Sequence, residues 1–168
     1  MLVAVLAPVA LSSAMAAPAT APRTAPATTT KPRPVAPAFA LVDLAGKPVR
    51  LADYHGKVVL VDFWATWCGP CRKSVPHLKN LHARYGKQGF VILGLSVDHE
   101  GPQVVRDFVK KNAIPWTTAL ADEKTMDAFG GIQYVPTGFL VDRQGRIAER
   151  FQGNVPEATL ETAIKPLL

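Results

Sequence analysis

Residues 57–71 read Lys57-Val58-Val59-Leu60-Val61-Asp62-Phe63-Trp64-Ala65-Thr66-Trp67-Cys68-Gly69-Pro70-Cys71. From Lys57 to Trp64 the run is apolar apart from its first residue and Asp62, and three of its residues are valine. A short, nearly continuous apolar run rich in β-branched residues is what a central strand covered on both faces requires. Past Cys71 the period changes. Val75, Leu78, Leu81, His82 and Tyr85 follow at spacings of three and four, which is one face of a helix ending at Gly86 or Gly89. The two cysteines therefore stand where a buried strand hands the chain over to a helix.

Downstream, strand and helix patterns keep alternating. Phe90 to Val97 (FVILGLSV) is a second buried strand, and Pro102 to Asn112 sets Val104, Val105, Phe108 and Val109 on one helical face. Trp116 to Leu120 is a short strand and Glu123 to Phe129 a short helix. Thr137 to Val141 and Arg146 to Phe151 are strands joined by the tight turn Asp142-Arg143-Gln144-Gly145. A last helix runs from Pro156, near its first turn, to Leu167. Upstream, Phe39 to Leu51 reads as a hairpin turning at Ala45-Gly46. The fold class is α/β, a mixed central β-sheet flanked by helices with an added N-terminal hairpin.

The chain has 168 residues, 48% of them hydrophobic, enough for one domain with its own core. Residues 1–16 carry no charge, with an apolar stretch from Leu2 to Leu11 and the small-x-small signal Ala14-Met15-Ala16. They read as a signal peptide cleaved after Ala16, although no Lys or Arg precedes the apolar stretch and the first basic residue is Arg23. A bilayer span takes roughly twenty apolar residues, about twice this stretch. Residues 17–37 are almost only Ala, Pro and Thr and read as a disordered tether, leaving 38–168 as the folded domain. The expected location is periplasmic or otherwise extracytoplasmic, with membrane association if the leader stays uncleaved. The net charge is +6, but the basic residues are scattered with no run of four, so no nucleic-acid partner is expected.

An exported protein with two cysteines would ordinarily use them as a staple. Residues three apart close too small a loop to restrain the unfolded chain, so this pair is read as one that joins and parts. One C-x-x-C supplies two of the four ligands of a structural zinc, and no second pair completes the set, so no metal or other cofactor is expected. A thiolate attacks a disulfide, so the reacting cysteine needs a depressed pKa and an accessible sulfur. At the strand-to-helix junction Cys68 meets the N–H groups and the positive dipole end of the helix. Gly69 lets a partner's backbone approach, Pro70 suits a first helical turn, and Cys71 lands one turn in. Cys68 is accordingly the nucleophile and Cys71 the resolving thiol of a redox-active disulfide. Asp62, in an apolar strand, is costly to bury ionised; its pKa should be raised, and it is the candidate proton acceptor for Cys71 through a water.

The segment Val61 to Cys71 resembles the active-site segment of the thioredoxins, and Tyr134-Val135-Pro136-Thr137 resembles that family's cis-proline loop. From Pro37 to Leu168 the chain resembles the exported TlpA/ResA-like thiol:disulfide interchange proteins, which share the leader and tether, the added hairpin and a helix-strand insertion, here about His99 to Leu120. The resemblance implies a thioredoxin-like fold, a cis Val135-Pro136 bond, and substrate contact through Trp67, Gly69, Pro70, Val135 and Pro136. It implies protein thiol and disulfide substrates, an upstream electron donor such as a membrane thiol transporter, and work on apocytochrome c cysteines or other exported thiols. A monomer is expected. Two positions depart from the pattern: many members carry a glutamate where this chain has Ser74, and thioredoxins carry a lysine where it has Gly94.

Two other classes compete with a protein-disulfide reductase. A peroxiredoxin-like thiol peroxidase would have T-x-x-C, whereas Thr66-Trp67-Cys68 is T-x-C. A copper-delivery protein on the same fold would have C-x-x-x-C and a distant histidine, one residue more than the spacing here. His55, His77, His82 and His99 share no spacing with each other or with the cysteines and read as surface or core residues.

Overall fold

The computed structural model describes residues 32–168. The expected leader, residues 1–16, and most of the expected tether, 17–37, lie outside the described residues. In chain order the elements are β1 (Ala40–Val42), β2 (Pro48–Arg50), β3 (Val58–Trp64), α1 (Gly69–Tyr85), β4 (Phe90–Ser96) and α2 (Pro102–Lys111). There follow β5 (Thr117–Leu120), α3 (Glu123–Ala128), β6 (Thr137–Val141), β7 (Ile147–Gln152) and α4 (Glu157–Ile164). Five strands form one sheet in the order β5-β4-β3-β6-β7, with β3, β4 and β5 parallel and β6 and β7 antiparallel to their neighbours. This is the mixed sheet with flanking helices that the alternating patterns predict.

Strand β3 lies at the centre, which accounts for its apolar residues on both faces. Val58, Leu60 and Trp64 face a core shared with Val75, Leu78 and Leu81 of α1, Val105 of α2 and Leu160 and Ile164 of α4. Val59, Val61 and Phe63 face the opposite core, built with Phe129 after α3, Phe139 of β6, and Leu41 and Val49 of the hairpin. Phe129 is its hub, with ring centroids 4.9 Å from Phe139 and 5.3 Å from Phe63. Because side chains alternate along a strand, Asp62 falls on the α1 face with Leu60 and Trp64. That is the face from which the cysteines are presented.

The helix-strand insertion is part of the sheet rather than an appendage. Its strand β5 forms the edge beside β4, and the hairpin leans on it through Leu44 N–H donating to Thr118 O at 3.0 Å. The domain also begins before the expected residue 38. Ala36 N–H donates to Gly145 O at 2.9 Å, Ile147 N–H donates to Pro34 O at 2.8 Å, and Arg33 pairs with Asp142 at 3.3 Å. These bonds satisfy the outer edge of the β6–β7 turn, so the last residues of the Pro/Ala/Thr-rich segment are strapped to the sheet. Among the described residues no helix is long and apolar enough to cross a membrane.

Candidate active site

Cys68 and Cys71 are joined as a disulfide. Cys68 is the N-cap of α1: its backbone is extended (φ −74°, ψ 108°) and its sulfur accepts the Cys71 N–H at 3.1 Å. Pro70 lies in the first turn, where an N–H would have no helical partner. The sulfur of Cys68 stands 3.6 Å from the Val135 carbonyl, a contact that becomes an S–H···O hydrogen bond when the reduced thiol is protonated. The Val135-Pro136 peptide is cis, as the resemblance implies. Thr137 Oγ1 donates to Tyr134 O at 2.7 Å and Gly153 N–H to Pro136 O at 2.8 Å, fixing both ends of that loop.

One sequence expectation fails. Cys68 and Cys71 are each only 4% exposed, so accessibility does not separate an open nucleophile from a buried resolving thiol. The residues that reach solvent are their neighbours, Trp67 at 64% and Tyr134 at 66%. Gly69 is exposed too, and a Cβ added there would meet nothing within 4 Å. Together Trp67, Val97, His99, Met126, Tyr134 and Val135 line a groove of about 420 Å³ beside the cis-proline loop.

On β3, Asp62 is flanked on both sides by glycine, Gly94 on β4 and Gly138 on β6. It is half-buried, and its carboxyl makes no hydrogen bond with a described residue. That burial pushes its pKa up from 3.8 to about 7. It opens on a cavity of about 30 Å³ lined also by Ser74, Leu78, Pro136 and Gly153, room enough for one water. Any side chain where Gly94 stands would crowd its neighbours: a Cβ there would lie 3.1 Å from Trp64 Nε1, 3.2 Å from Trp116 Nε1 and 3.3 Å from Thr118 Oγ1. Ser74, in place of the glutamate common in similar proteins, bonds to Pro70 O at 3.2 Å and to the Asn154 side chain at 3.1 Å. A hydroxyl has a single proton, so one of these contacts is made with the Ser74 oxygen as acceptor, which the Asn154 amide nitrogen can serve.

A family model described as Redoxin matches residues 29–164, most of the chain. The chain belongs to the Redoxin family. Within it, thiol-disulfide oxidoreductase ResA of Bacillus anthracis is 33% identical over 132 residues, covering 79% of this chain and 76% of that protein. ResA of Bacillus subtilis is 33% identical over 135 residues, covering 78% and 74%. A thiol:disulfide interchange protein of the thioredoxin family from Chlorobium tepidum superposes with a TM-score of 0.75 at 29% identity, covering 83% of this chain and 99% of that one. A secreted thiol-disulfide isomerase from Corynebacterium glutamicum gives 0.72 at 26% identity, covering 78% and 83%. This Redoxin-family chain is thus a thiol-disulfide oxidoreductase of the ResA type on a thioredoxin-like fold.

In this Redoxin-family site the fold gathers every residue the sequence singled out. Cys68, Cys71, Gly69 and Pro70 come from the first turn of α1, Trp67 from the turn before it, Asp62 from β3, and Val135 and Pro136 from the loop before β6. Arg72 and Lys73 are exposed and make no side-chain hydrogen bond among the described residues. His99, read as an unremarkable histidine, lines the groove, and Met126 and Asn154 were not singled out at all. Their positions in the sequence carry no signal, because His99 and Asn154 come from loops and Met126 from α3, segments far apart in the chain that meet only in the fold. Among the described residues no three His, Cys, Asp or Glu side chains gather as metal ligands would.

Proposed function

We propose that this protein reduces disulfides of exported protein partners on the outer side of the cytoplasmic membrane, with Cys68 as attacking sulfur and Cys71 as resolving thiol. The observation that carries this is the Cys68 sulfur at the N-terminus of α1, accepting the Cys71 N–H at 3.1 Å while 3.6 Å from the Val135 carbonyl. Once the bridge is opened, that N–H and the helix dipole stabilise a thiolate at Cys68 and none at Cys71.

The cycle balances as follows. The Cys68 thiolate attacks one sulfur of the partner's disulfide; that S–S bond breaks, and the other partner sulfur leaves as a thiolate. Cys71 then gives its proton to Asp62 through the water its cavity can hold, and the new thiolate attacks Cys68. The Cys68–Cys71 bridge closes, the partner's second sulfur leaves, and the partner has gained two electrons. An acid with a pKa near 7 is suited to take and return that proton at neutral pH. An upstream donor, of the membrane thiol-transporter kind, must then reduce the bridge again.

Docking falls to the exposed Trp67, Gly69 and Pro70 and to the cis-proline loop beside them, where Val135 is partly exposed and Pro136 lies buried beneath. Nothing inside the protein requires glycine at 69, so a close-approaching partner backbone is the reason for it. The extracytoplasmic location rests on the leader-like residues 1–16 and on the secreted relative, and cysteines of apocytochrome c are the substrate class that the family resemblance favours. Two measurements test the proposal. The reduction potential should fall near the thioredoxin end, about −270 mV, and a value near about −120 mV would overturn the reducing direction. A Cys71→Ser variant should capture its partners as mixed disulfides on Cys68; capture on the other cysteine in the reciprocal variant, and none on Cys68, would reverse the roles.

A further inference from the structure

The turn that carries Trp67 into Cys68 is held by one residue the mechanism has not used. Residues 65–68 form a tight turn closed by Cys68 N–H donating to Ala65 O at 3.2 Å. Its outer side has little to pack against, since Trp67 is exposed and Gly69 faces open space. Among the described residues, its middle is tied down through Thr66. Thr66 N–H donates to Asp98 Oδ2 at 3.0 Å and Thr66 Oγ1 donates to Asp98 Oδ1 at 2.6 Å.

Asp98 is itself fixed. It is 7% exposed, it has no ion-pair partner among the described residues, and Ser96 Oγ donates to its Oδ2 at 2.7 Å while its own N–H donates back to Ser96 Oγ at 3.1 Å. Ser96 ends β4, the parallel neighbour of β3. The carboxyl group thus ties the exposed side of the active-site turn to the end of β4. Such a buried polar cluster is justified energetically only with its bonds complete, and here both carboxyl oxygens are occupied.

We propose that Asp98 is a positioning residue for disulfide exchange: through Thr66 it sets how Trp67 and the Cys68 sulfur present themselves together to a partner protein. Sulfur attack needs the incoming thiolate aligned with the S–S bond, and a displacement of about 1 Å can cost roughly a hundredfold in rate. A small disulfide can adjust its own pose to reach Cys68. A protein disulfide cannot, because its surroundings must rest on Trp67 at the same time.

The test uses the full chain, reduced, with folding checked by circular dichroism, and compares insulin with a small aromatic disulfide as substrates. Asp98→Ala should reduce insulin about tenfold more slowly, equivalent to about 1.4 kcal/mol, while its rate with the small disulfide changes less than about twofold. Thr66→Val, which keeps the backbone N–H bond and loses the hydroxyl, should lose about threefold on insulin only. Asp98→Asn keeps an oxygen for Thr66 N–H and Ser96, and its rate should stay within about twofold of the parent. Three results would overturn the inference: wild-type insulin reduction in Asp98→Ala, equal loss with both substrates, or an Asp98→Asn variant as slow as Asp98→Ala. Should Asp98→Ala not fold, an unchanged substrate ratio in Thr66→Val refutes it. The inference rests on Cys68 as the attacking sulfur, and a Cys68→Ser control that still reduces both substrates would remove that reading separately.

Discussion

Replacing Asp62 by Asn should make the oxidised protein more stable, and increasingly so as pH rises. The folded protein holds the Asp62 proton up to about pH 7, whereas the unfolded chain releases it near 3.8. Between those values the folded state binds the extra proton, so stability falls as pH rises through the window and levels off above it. A difference of about 3 pKa units at about 1.36 kcal/mol each amounts to about 4 kcal/mol, a large part of the 5–15 kcal/mol that holds a typical domain together. Asn cannot ionise and escapes this loss. The assay is urea unfolding of the disulfide forms of both proteins at intervals from pH 4 to pH 9, so that no thiol titrates. Other carboxyl groups cancel in the difference between the two curves. Any fixed penalty for the Asn amide shifts that difference equally at every pH, so its slope carries the argument. A difference rising by about 4 kcal/mol between pH 4 and pH 8 is expected. A flat difference would refute the reasoning, since Asp62 would then ionise as easily folded as unfolded.

Three further outcomes follow from other parts of the molecule. Gly94→Lys should not create the acid-lysine pair of thioredoxins but overpack the two indoles beside it, costing about 1–3 kcal/mol in urea unfolding with no pH dependence tied to Asp62. Arg143→Ala removes donors to the carbonyls of Leu167, Gly56, Gln88 and Leu168, so chemical denaturation should show a loss of about 2–4 kcal/mol, while the exchange rate per folded molecule is unchanged. Glu161 is held at a pKa of about 2 by the Tyr85 hydroxyl first, then by Lys165 and Arg84. Its contribution is present above pH 4.5 and lost as pH falls toward 2, so Glu161→Gln should flatten the acid limb of the stability profile; an unaltered acid limb would show that the network contributes nothing there.

The central strand, the helix after it and the redox pair between them were legible because each is a local pattern. An apolar run, a switch to spacings of three and four, and two cysteines three apart at the junction are all written within residues 57–85. Asp62 was legible for the same reason, as one acid inside an apolar strand, and its raised pKa follows from that placement alone. The ordering of Pro34 to Ala36 was not legible, because composition argued for a tether and the bonds that hold it come from a turn more than a hundred residues away. Nor was the near-equal cover on the two cysteines, since Val135 comes from 67 residues beyond Cys68 to stand over it.

What the sequence determined by itself, then, was the class of fold and the chemistry of Cys68 and Cys71, both of which depend on spacing along the chain. Tertiary structure decided the surroundings. It set glycines on both sides of Asp62, filled the lysine's place with Trp64 and Trp116, tied Ser74 to Asn154 and clamped Thr66 on Asp98. Each of these is a meeting of residues from separate elements, and which of them meet is settled by strand register and helix packing, for which no local period exists to be read.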